Sequence, residues 1–198
     1  QPQFDFIDRA EDRQAVDALL AAAGLATASP WIGMNVSARW ETKRWTPQHF
    51  AEAADRLADA QGLPIVFMGG PAERPETRAV MARMRTKAVD LTGQTPVGLL
   101  PSLLRRAAVL VTNDSGPMHI AAAVGTPVVA LFGPTDPVKT GPYGPGHVVL
   151  SNPVECRPCF RRECSRAVTL ECLTGVTSEH VVRAVQQQLG RVGTSGSS

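Results

Sequence analysis

Residues 109–137 read VLVTNDSGPMHIAAAVGTPVVALFGPTDP, and the order of elements in the whole chain can be worked out from this string. An apolar, β-branched run at 109–111 stops at the turn 113–116, and Pro117 then stands where the first turn of a helix is expected. Small residues follow, and a second apolar run covers 128–132. The pattern predicts a strand, a tight turn, a short helix and a second strand.

The turn between this strand and this helix suits a phosphate group. Ser115 and Gly116 fall at the amino end of the helix, where backbone N–H groups have no partner within the helix and the helix dipole adds partial positive charge. Asp114 and His119 are expected at the rim of the same corner. Helix capping alone would also explain Ser115 and Asp114, because Ser and Asp are common caps.

The same alternation recurs along the chain and predicts an α/β fold. Predicted strands lie at 31–36, 63–68, 88–91, 109–111, 128–132 and 147–150, and predicted helices at 9–23, 47–61, 74–86, 96–106, 117–124 and 177–189. Such alternation favours a mostly parallel, Rossmann-like sheet with helices on both faces, in three layers, and ligands at its carboxyl edge. The polar residues that follow predicted strands are Lys43, Glu73, Gln94, Asp114 and Ser115.

Length and composition predict one soluble domain. The chain has 198 residues, of which 43% are hydrophobic, and no apolar run approaches the roughly 20 residues that span a bilayer. No signal peptide opens the sequence, so the chain is expected either to lie in the cytoplasm or to have had a leader removed. Residues 1–8 are expected to be a linker remnant, 9–189 the domain, and the Gly- and Ser-rich segment 190–198 a flexible tail.

The charge pattern narrows the class of partner. A net charge of +2 and an aromatic content of 5% argue against nucleic acid. Basic residues concentrate at 39–44 and 157–166. Both segments could be ordinary solvated loops, and the second could be weakly attracted to an anionic membrane surface.

All four cysteines fall in one loop, residues 152–175, which we call the cysteine loop. Cys156, Cys159, Cys164 and Cys172 follow the spacing C-x2-C-x4-C-x7-C. Four thiolates could close a tetrahedral structural zinc site, although only the opening pair has a common ligand spacing. Disulfides, which are less expected in the cytosol, and free thiols are the alternatives. In each case the expected role is to fix a long loop before the last helix.

Three strings in the chain resemble the family 9 glycosyltransferases, the heptosyltransferases that extend the lipopolysaccharide inner core. Residues 114–137 are similar to the nucleotide-sugar signature of that family, 39–45 (RWETKRW) to its basic loop, and 69–73 (GGPAE) to its next loop. The resemblance spans roughly residues 30–189. It implies the carboxy-terminal, donor-binding half of a two-domain GT-B enzyme.

The resemblance also implies roles for individual residues. Lys43 would stabilise the charge that develops on the diphosphate leaving group, whereas without the resemblance a solvated surface lysine is equally expected. Ser115 and Gly116 would donate main-chain N–H groups to the diphosphate. Asp114 would contact hydroxyls of the donor sugar, and Glu73 would accept hydrogen bonds from the ribose. Without the resemblance, Glu73 could equally be an exposed residue at a helix start that the helix dipole favours there.

Weaker assignments concern Ser37, Gln94 and His119. Ser37 would touch phosphate, Gln94 would line the nucleobase pocket, and His119 would contact phosphate or sugar unless it is purely structural. No convincing general base for the acceptor hydroxyl is visible in the chain. The resemblance places that base in an amino-terminal domain, so this half alone is expected to be inactive.

The function implied by the resemblance is inverting transfer from an ADP-activated heptose to a lipopolysaccharide core acceptor. The acceptor would be held by the missing domain, at the inner face of the inner membrane. No metal is required for the chemistry, since Lys43 and helix-terminal N–H groups can neutralise the diphosphate. One alternative is a non-catalytic nucleotide or nucleotide-sugar binding module. Half of a nucleotide-sugar 2-epimerase, which needs acids and histidines from several strand ends, is a less favoured alternative.

Overall fold

The computed structural model describes residue 6 and residues 8–194, with side chains up to residue 191. Its strands are β1 Ile32–Asn35, β2 Ile65–Phe67, β3 Val89–Asp90, β4 Val109–Asn113, β5 Val128–Leu131 and β6 Val148–Leu150. All neighbouring strands are parallel, in the order β3-β2-β1-β4-β5-β6. The predicted α/β fold is therefore confirmed, with strands within a few residues of their predicted positions.

Helices cover both faces of the sheet, as a buried parallel sheet requires. They are α1 Ala10–Ala22, α2 Pro47–Gln61, α3 Arg74–Met81, α4 Leu100–Leu104, α5 Gly116–Ala123, α6 Pro137–Thr140, α7 Glu171–Thr174 and α8 Ser178–Thr194. Short 3-10 turns lie at Glu41–Lys43, Pro71–Glu73 and Val97–Leu99. The strand order reverses between β1 and β4, which is where doubly wound sheets open a crevice at their carboxyl edge.

Two apolar cores fill the space between the layers. One contains side chains of α2, α3 and α8 and includes Trp45, Phe50 and Val181. The other contains side chains of α1, α4 and α5 and includes Trp31 and Leu20. Alternate residues of the central strands enter opposite cores, because successive side chains of a strand point to opposite faces.

The caps of α2 explain why its ends are where the sequence predicts them. The Thr46 hydroxyl accepts a hydrogen bond from the N–H of His49 at 3.2 Å, and Pro47 occupies the first turn. At the other end Gly62 adopts a left-handed conformation with φ of 62°, which glycine accommodates without strain.

Two predicted helices end or begin elsewhere. The predicted helix 74–86 ends at Met81, because the N–H groups of Arg85 and Thr86 bond the carboxylate of Asp55 instead of continuing the helix. The predicted helix 96–106 is a 3-10 turn followed by α4, since Pro101 disfavours a continuous helix through its predecessor. The predicted cap at Thr95 does not form: its hydroxyl is buried without a hydrogen-bond partner.

The two ends of the chain differ partly from the expected linker and tail. The Asp8 carboxylate accepts a hydrogen bond from the Ser102 hydroxyl at 2.9 Å, so this residue packs on α4. Helix α8 continues to Thr194, five residues beyond its predicted end, since each internal glycine costs a helix only about 1 kcal/mol. Residues 1–5, 7 and 195–198 lie outside the described part, so the linker and tail predictions are untested there.

Candidate functional site

An ion pair at the carboxyl edge of the sheet joins two of the predicted site residues. Lys43 reaches from the 3-10 turn after β1, and its Nζ lies 2.7 Å from Oδ2 of Asp114, directly after β4. The Lys43 side chain is 16% exposed and that of Asp114 6% exposed. The Thr135 hydroxyl, from the loop after β5, donates to the same carboxylate oxygen at 2.7 Å. Three strand exits therefore meet at one carboxylate.

The ammonium group also lies against an aromatic ring. Lys43 Nζ is 4.7 Å from the centroid of the Trp40 ring, and the Arg162 guanidinium lies 5.3 Å from the same ring. Cations within about 6 Å of an aromatic face are attracted by its electron density. The ring therefore supports two positive charges at the rim of the crevice, and together they favour an anionic ligand.

The helix that follows β4 begins without a side-chain cap. Ser115 is the N-cap residue of α5, but its hydroxyl donates to Oδ1 of Asn35 at 3.0 Å instead of capping the helix. The Ser115 oxygen is also 3.0 Å from the Thr112 hydroxyl. Gly116 is exposed, and a Cβ added to it would meet no atom within 4 Å. The first N–H groups of α5 are therefore available to an anion that approaches from the crevice.

Glu73 lies across the crevice at the exit of β2. Its Oε2 accepts hydrogen bonds from the N–H of Gly70 at 2.8 Å and from Nδ2 of Asn35 at 3.5 Å. A side chain at Gly69 would collide with the Glu73 carboxylate. Glu73 thus lies near the turn that is predicted to bind phosphate, and it also accepts a hydrogen bond within its own loop. It is partly buried, whereas the structural alternative predicted an exposed residue.

Two buried asparagines complete the site, and the sequence analysis did not identify either. Asn113, the last residue of β4, accepts from the Trp45 N–H at 3.0 Å and donates to the Val36 carbonyl at 2.9 Å, so it fixes the loop that carries Lys43. Asn35 is likewise buried and is the last residue of its strand, β1. Each is a polar residue at the end of an apolar strand, and that position was the available signal.

The three weaker site residues, Ser37, Gln94 and His119, differ in burial and in the element that carries them. Ser37 is buried at the start of the loop after β1, and its carbonyl accepts from Asn113. His119 is exposed on the first turn of α5. Gln94 is exposed beyond β3, and its amide donates to the Asp90 carbonyl at 2.6 Å. The roles proposed for these residues stay predictions.

The four cysteines come together in space as unpaired thiols. They line one small cavity of about 20 Å³ behind the site. Backbone N–H groups of Leu170 and Arg166 point at the Cys164 sulfur and lower the pKa of that thiol, whereas burial raises the pKa of Cys172. Among the described residues, no three His, Cys, Asp or Glu side chains stand close enough to hold a metal ion. The zinc alternative stays a prediction.

The cysteine loop also braces the two loops that form the site. The Thr42 hydroxyl donates to the carbonyl of Arg161 at 2.9 Å, next to Lys43. The Arg157 guanidinium donates to the Gly133 carbonyl at 2.6 Å, and the N–H of Phe160 donates to the Pro134 carbonyl at 2.9 Å. The loops after β1 and β5 are therefore tied to one support.

Comparison with known proteins now identifies the family. The model of glycosyltransferase family 9 (heptosyltransferase) matches residues 2–169. The chain belongs to glycosyltransferase family 9. Within this family, lipopolysaccharide heptosyltransferase 1 of Pseudomonas aeruginosa is 31% identical over 147 residues, which is 72% of this chain and 40% of that protein.

Solved family 9 structures have the same fold. The structure of E. coli ADP-heptose lipopolysaccharide heptosyltransferase II matches with a TM-score of 0.79 and 25% identity, over 97% of this chain and 54% of that chain. The family 9 glycosyltransferase of Veillonella parvula matches with a TM-score of 0.81 and 29% identity, over 96% of this chain and 54% of that chain. This chain therefore spans about half the length of these relatives or less. In the part that the structure describes, none of the helices is both long and apolar enough to cross a membrane.

Proposed function

We propose that the chain is the donor-binding half of an inverting heptosyltransferase that transfers heptose from an ADP-activated donor to a lipopolysaccharide core acceptor. The observation that carries this proposal is the ion pair between Lys43 and Asp114, 2.7 Å apart, beside the uncapped amino end of α5. An ammonium group and exposed N–H groups on one side of a crevice suit a diphosphate, and a carboxylate beside them suits sugar hydroxyls.

The donor follows from the chemistry of the crevice and from the relatives. The E. coli relative is an ADP-heptose lipopolysaccharide heptosyltransferase, and this chain covers 54% of that enzyme. Glu73 would accept hydrogen bonds from the ribose. The main-chain N–H groups of Ser115 and Gly116 would bind the diphosphate, and Asp114 would bind the heptose. In this arrangement no metal is needed to hold the nucleotide.

Transfer requires the ammonium of Lys43 to leave Asp114, at least in part, and to meet the diphosphate. As the glycosidic bond breaks, the electron pair passes to the diphosphate oxygen, and a cation held there stabilises the developing charge more than it stabilises the ground state. The Asp114 carboxylate, released from the ion pair, can then accept hydrogen bonds from the donor sugar. The base for the acceptor hydroxyl and the acceptor site are proposed to lie in the amino-terminal half, at the cytoplasmic face of the inner membrane.

Calorimetric titration with ADP tests the binding part of this proposal. Wild-type chain should bind ADP in EDTA, and Lys43→Ala should weaken binding about tenfold to a hundredfold, because a charged hydrogen bond contributes about 1.5–3 kcal/mol. Lys87→Ala, an exposed lysine beyond α3, is the matched control and should bind like wild type. Equal affinity of Lys43→Ala and wild type would contradict the proposed role of the crevice.

A second experiment separates an enzyme half from a binding module. The chain would be mixed with, or fused to, the amino-terminal half of a family 9 heptosyltransferase and assayed for release of ADP from ADP-heptose with a core acceptor. Transfer that needs both halves and is abolished by Lys43→Ala supports the enzyme. Nucleotide binding with no transfer in the complete natural protein would favour the non-catalytic module.

A further inference from the structure

Asn35 connects three parts of the crevice that the proposed function uses separately. It is the last residue of β1 and is fully buried. Its Oδ1 accepts a hydrogen bond from the Ser115 hydroxyl at 3.0 Å, and the Thr112 hydroxyl, which donates to the Asn113 carbonyl at 2.9 Å, lies 3.4 Å away. Its Nδ2 donates to the Met68 carbonyl at 3.1 Å and to Glu73 Oε2 at 3.5 Å. The exits of β1, β2 and β4 are therefore joined through one side chain.

The bond to Ser115 determines which groups of the turn can meet a phosphate. A hydroxyl has one proton, and that of Ser115 is directed at Asn35. The Ser115 side chain is therefore held away from the start of α5, and the phosphate is left to the main-chain N–H groups of the helix. Without Asn35 the hydroxyl could turn and cap the helix itself, in competition with the ligand.

The bond to Glu73 determines where the carboxylate stands. Both of its hydrogen bonds, from Gly70 and from Asn35, end on Oε2. An amide is suited to this position because one end accepts from Ser115 while the other end donates to Glu73. The variant Asn35→Asp would still accept the hydrogen bond from Ser115, but its carboxylate would place a second negative charge against Glu73.

We propose that Asn35 is a positioning residue that sets the ribose-binding acid Glu73 and the phosphate-binding turn at Ser115 relative to each other. This inference rests on the proposed function, because it assigns a task to groups that the donor is proposed to contact. Asn35 itself does not need to touch the ligand. Its effect on nucleotide affinity should pass through Glu73 and Ser115.

The pH dependence of ADP binding to Asn35→Asp tests this inference. The introduced carboxyl group would be buried and in contact with Glu73, and the Lys43–Asp114 pair lies beside Ser115, which also contacts it, so burial and the like charge of Glu73 should raise its pKa. At about pH 8 the variant should bind ADP at least about tenfold more weakly than wild type. At about pH 5.5 the protonated acid resembles the amide. The ratio of the variant's dissociation constant for ADP to that of wild type should therefore be at least about threefold smaller than at about pH 8.

Gln188→Glu is the matched control for placing an acid at a buried amide. Gln188 is 2% exposed and donates to the Gly146 carbonyl at 2.8 Å, before β6 and so at the opposite edge of the sheet. This variant should lose stability, but its ratio of ADP affinity to that of wild type should not change with pH. The comparison separates a local electrostatic effect on the crevice from general loss of structure.

A double-mutant cycle gives an independent measurement. If Asn35 acts through Glu73, then Asn35→Ala should weaken ADP binding at least about threefold less in a Glu73→Gln background than in wild type. Additive effects, or an Asn35→Asp ratio that is the same at both pH values, would overturn the inference and leave the proposed function standing. Failure of the wild-type chain to bind ADP would overturn both.

Discussion

At the scale of single residues, the Lys43 ammonium group can pair either with the Asp114 carboxylate or with the diphosphate of the donor. Because the Asp114 carboxylate competes with the diphosphate for Lys43, Asp114→Asn should bind ADP at least as tightly as wild type, with a gain of up to about tenfold. In the complete enzyme the same variant should transfer heptose from ADP-heptose more slowly, since an amide oxygen is a weaker hydrogen-bond acceptor for the sugar hydroxyls than a carboxylate. Calorimetry with ADP and a transfer assay with the sugar donor measure the two effects. Weaker binding of ADP by Asp114→Asn would show that the carboxylate does not compete with the nucleotide.

Asp55 shows a buried carboxylate that serves the fold and not the site. Burial alone would raise its pKa, but the N–H groups of Arg85 and Thr86 outweigh that effect and hold the pKa of Asp55 below its ordinary value. Because the pKa is lower in the folded chain than in the unfolded chain, this stabilisation is present above about pH 4 and is lost as the pH falls through the folded value. Asp55→Asn should therefore lower the free energy of unfolding by about 1–3 kcal/mol at about pH 7 and by less at about pH 3.5.

Urea unfolding at the two pH values measures this loss. Asp59→Asn, one turn further along α2 and exposed, is the matched control and should change stability by less than about 0.5 kcal/mol. A loss for Asp55→Asn that is equal at both pH values would mean that its charge contributes nothing.

At the scale of elements, the cysteine loop supports the site from behind. Removing the Arg157 guanidinium breaks its bond to the Gly133 carbonyl and frees the loop that carries Thr135, so Arg157→Ala should weaken ADP binding by about threefold to tenfold. Arg166→Ala is the control from the same loop, because its side chain pairs with Glu171 and not with the site loops. Equal affinities for the two variants would show that the loop does not support nucleotide binding.

The zinc alternative for the cysteine loop can be tested in the same element. If the four thiolates hold zinc, purified chain should contain about one equivalent by elemental mass spectrometry, and Cys156→Ser should remove it. Wild-type chain would also gain the intense charge-transfer absorption of thiolate-bound cobalt when zinc is replaced. Chain without metal, in which all four thiols react with a disulfide reagent after unfolding in urea, would instead support the unpaired arrangement of the structure.

The elements were more predictable than the contacts between them. Strand and helix order follows from hydrophobic period and from caps such as Thr46–Pro47, which are local properties of the chain. The juxtaposition of Lys43 and Asp114 follows from strand order, since parallel strands end at one edge. Asn35 and Asn113 could not be assigned partners, because those partners lie 33 to 80 residues away in sequence. The early end of α3 has the same cause, since Asp55 is supplied by another helix.

At the scale of the whole molecule, one sheet forms both cores, so neither core should unfold without the other. Trp31 lies in the core beneath α1, α4 and α5, and Trp45 lies in the core beneath α2, α3 and α8. In a Trp40→Phe background, Trp31→Phe leaves Trp45 as the fluorescent probe, and Trp45→Phe leaves Trp31. Each chain should show one urea transition that coincides with its own circular dichroism, because the strands between the cores are shared and a small domain unfolds cooperatively. Fluorescence and circular dichroism midpoints that separate in either chain would mean that one layer of helices opens while the sheet remains, and the crevice at the sheet edge would then be supported by only one of the cores.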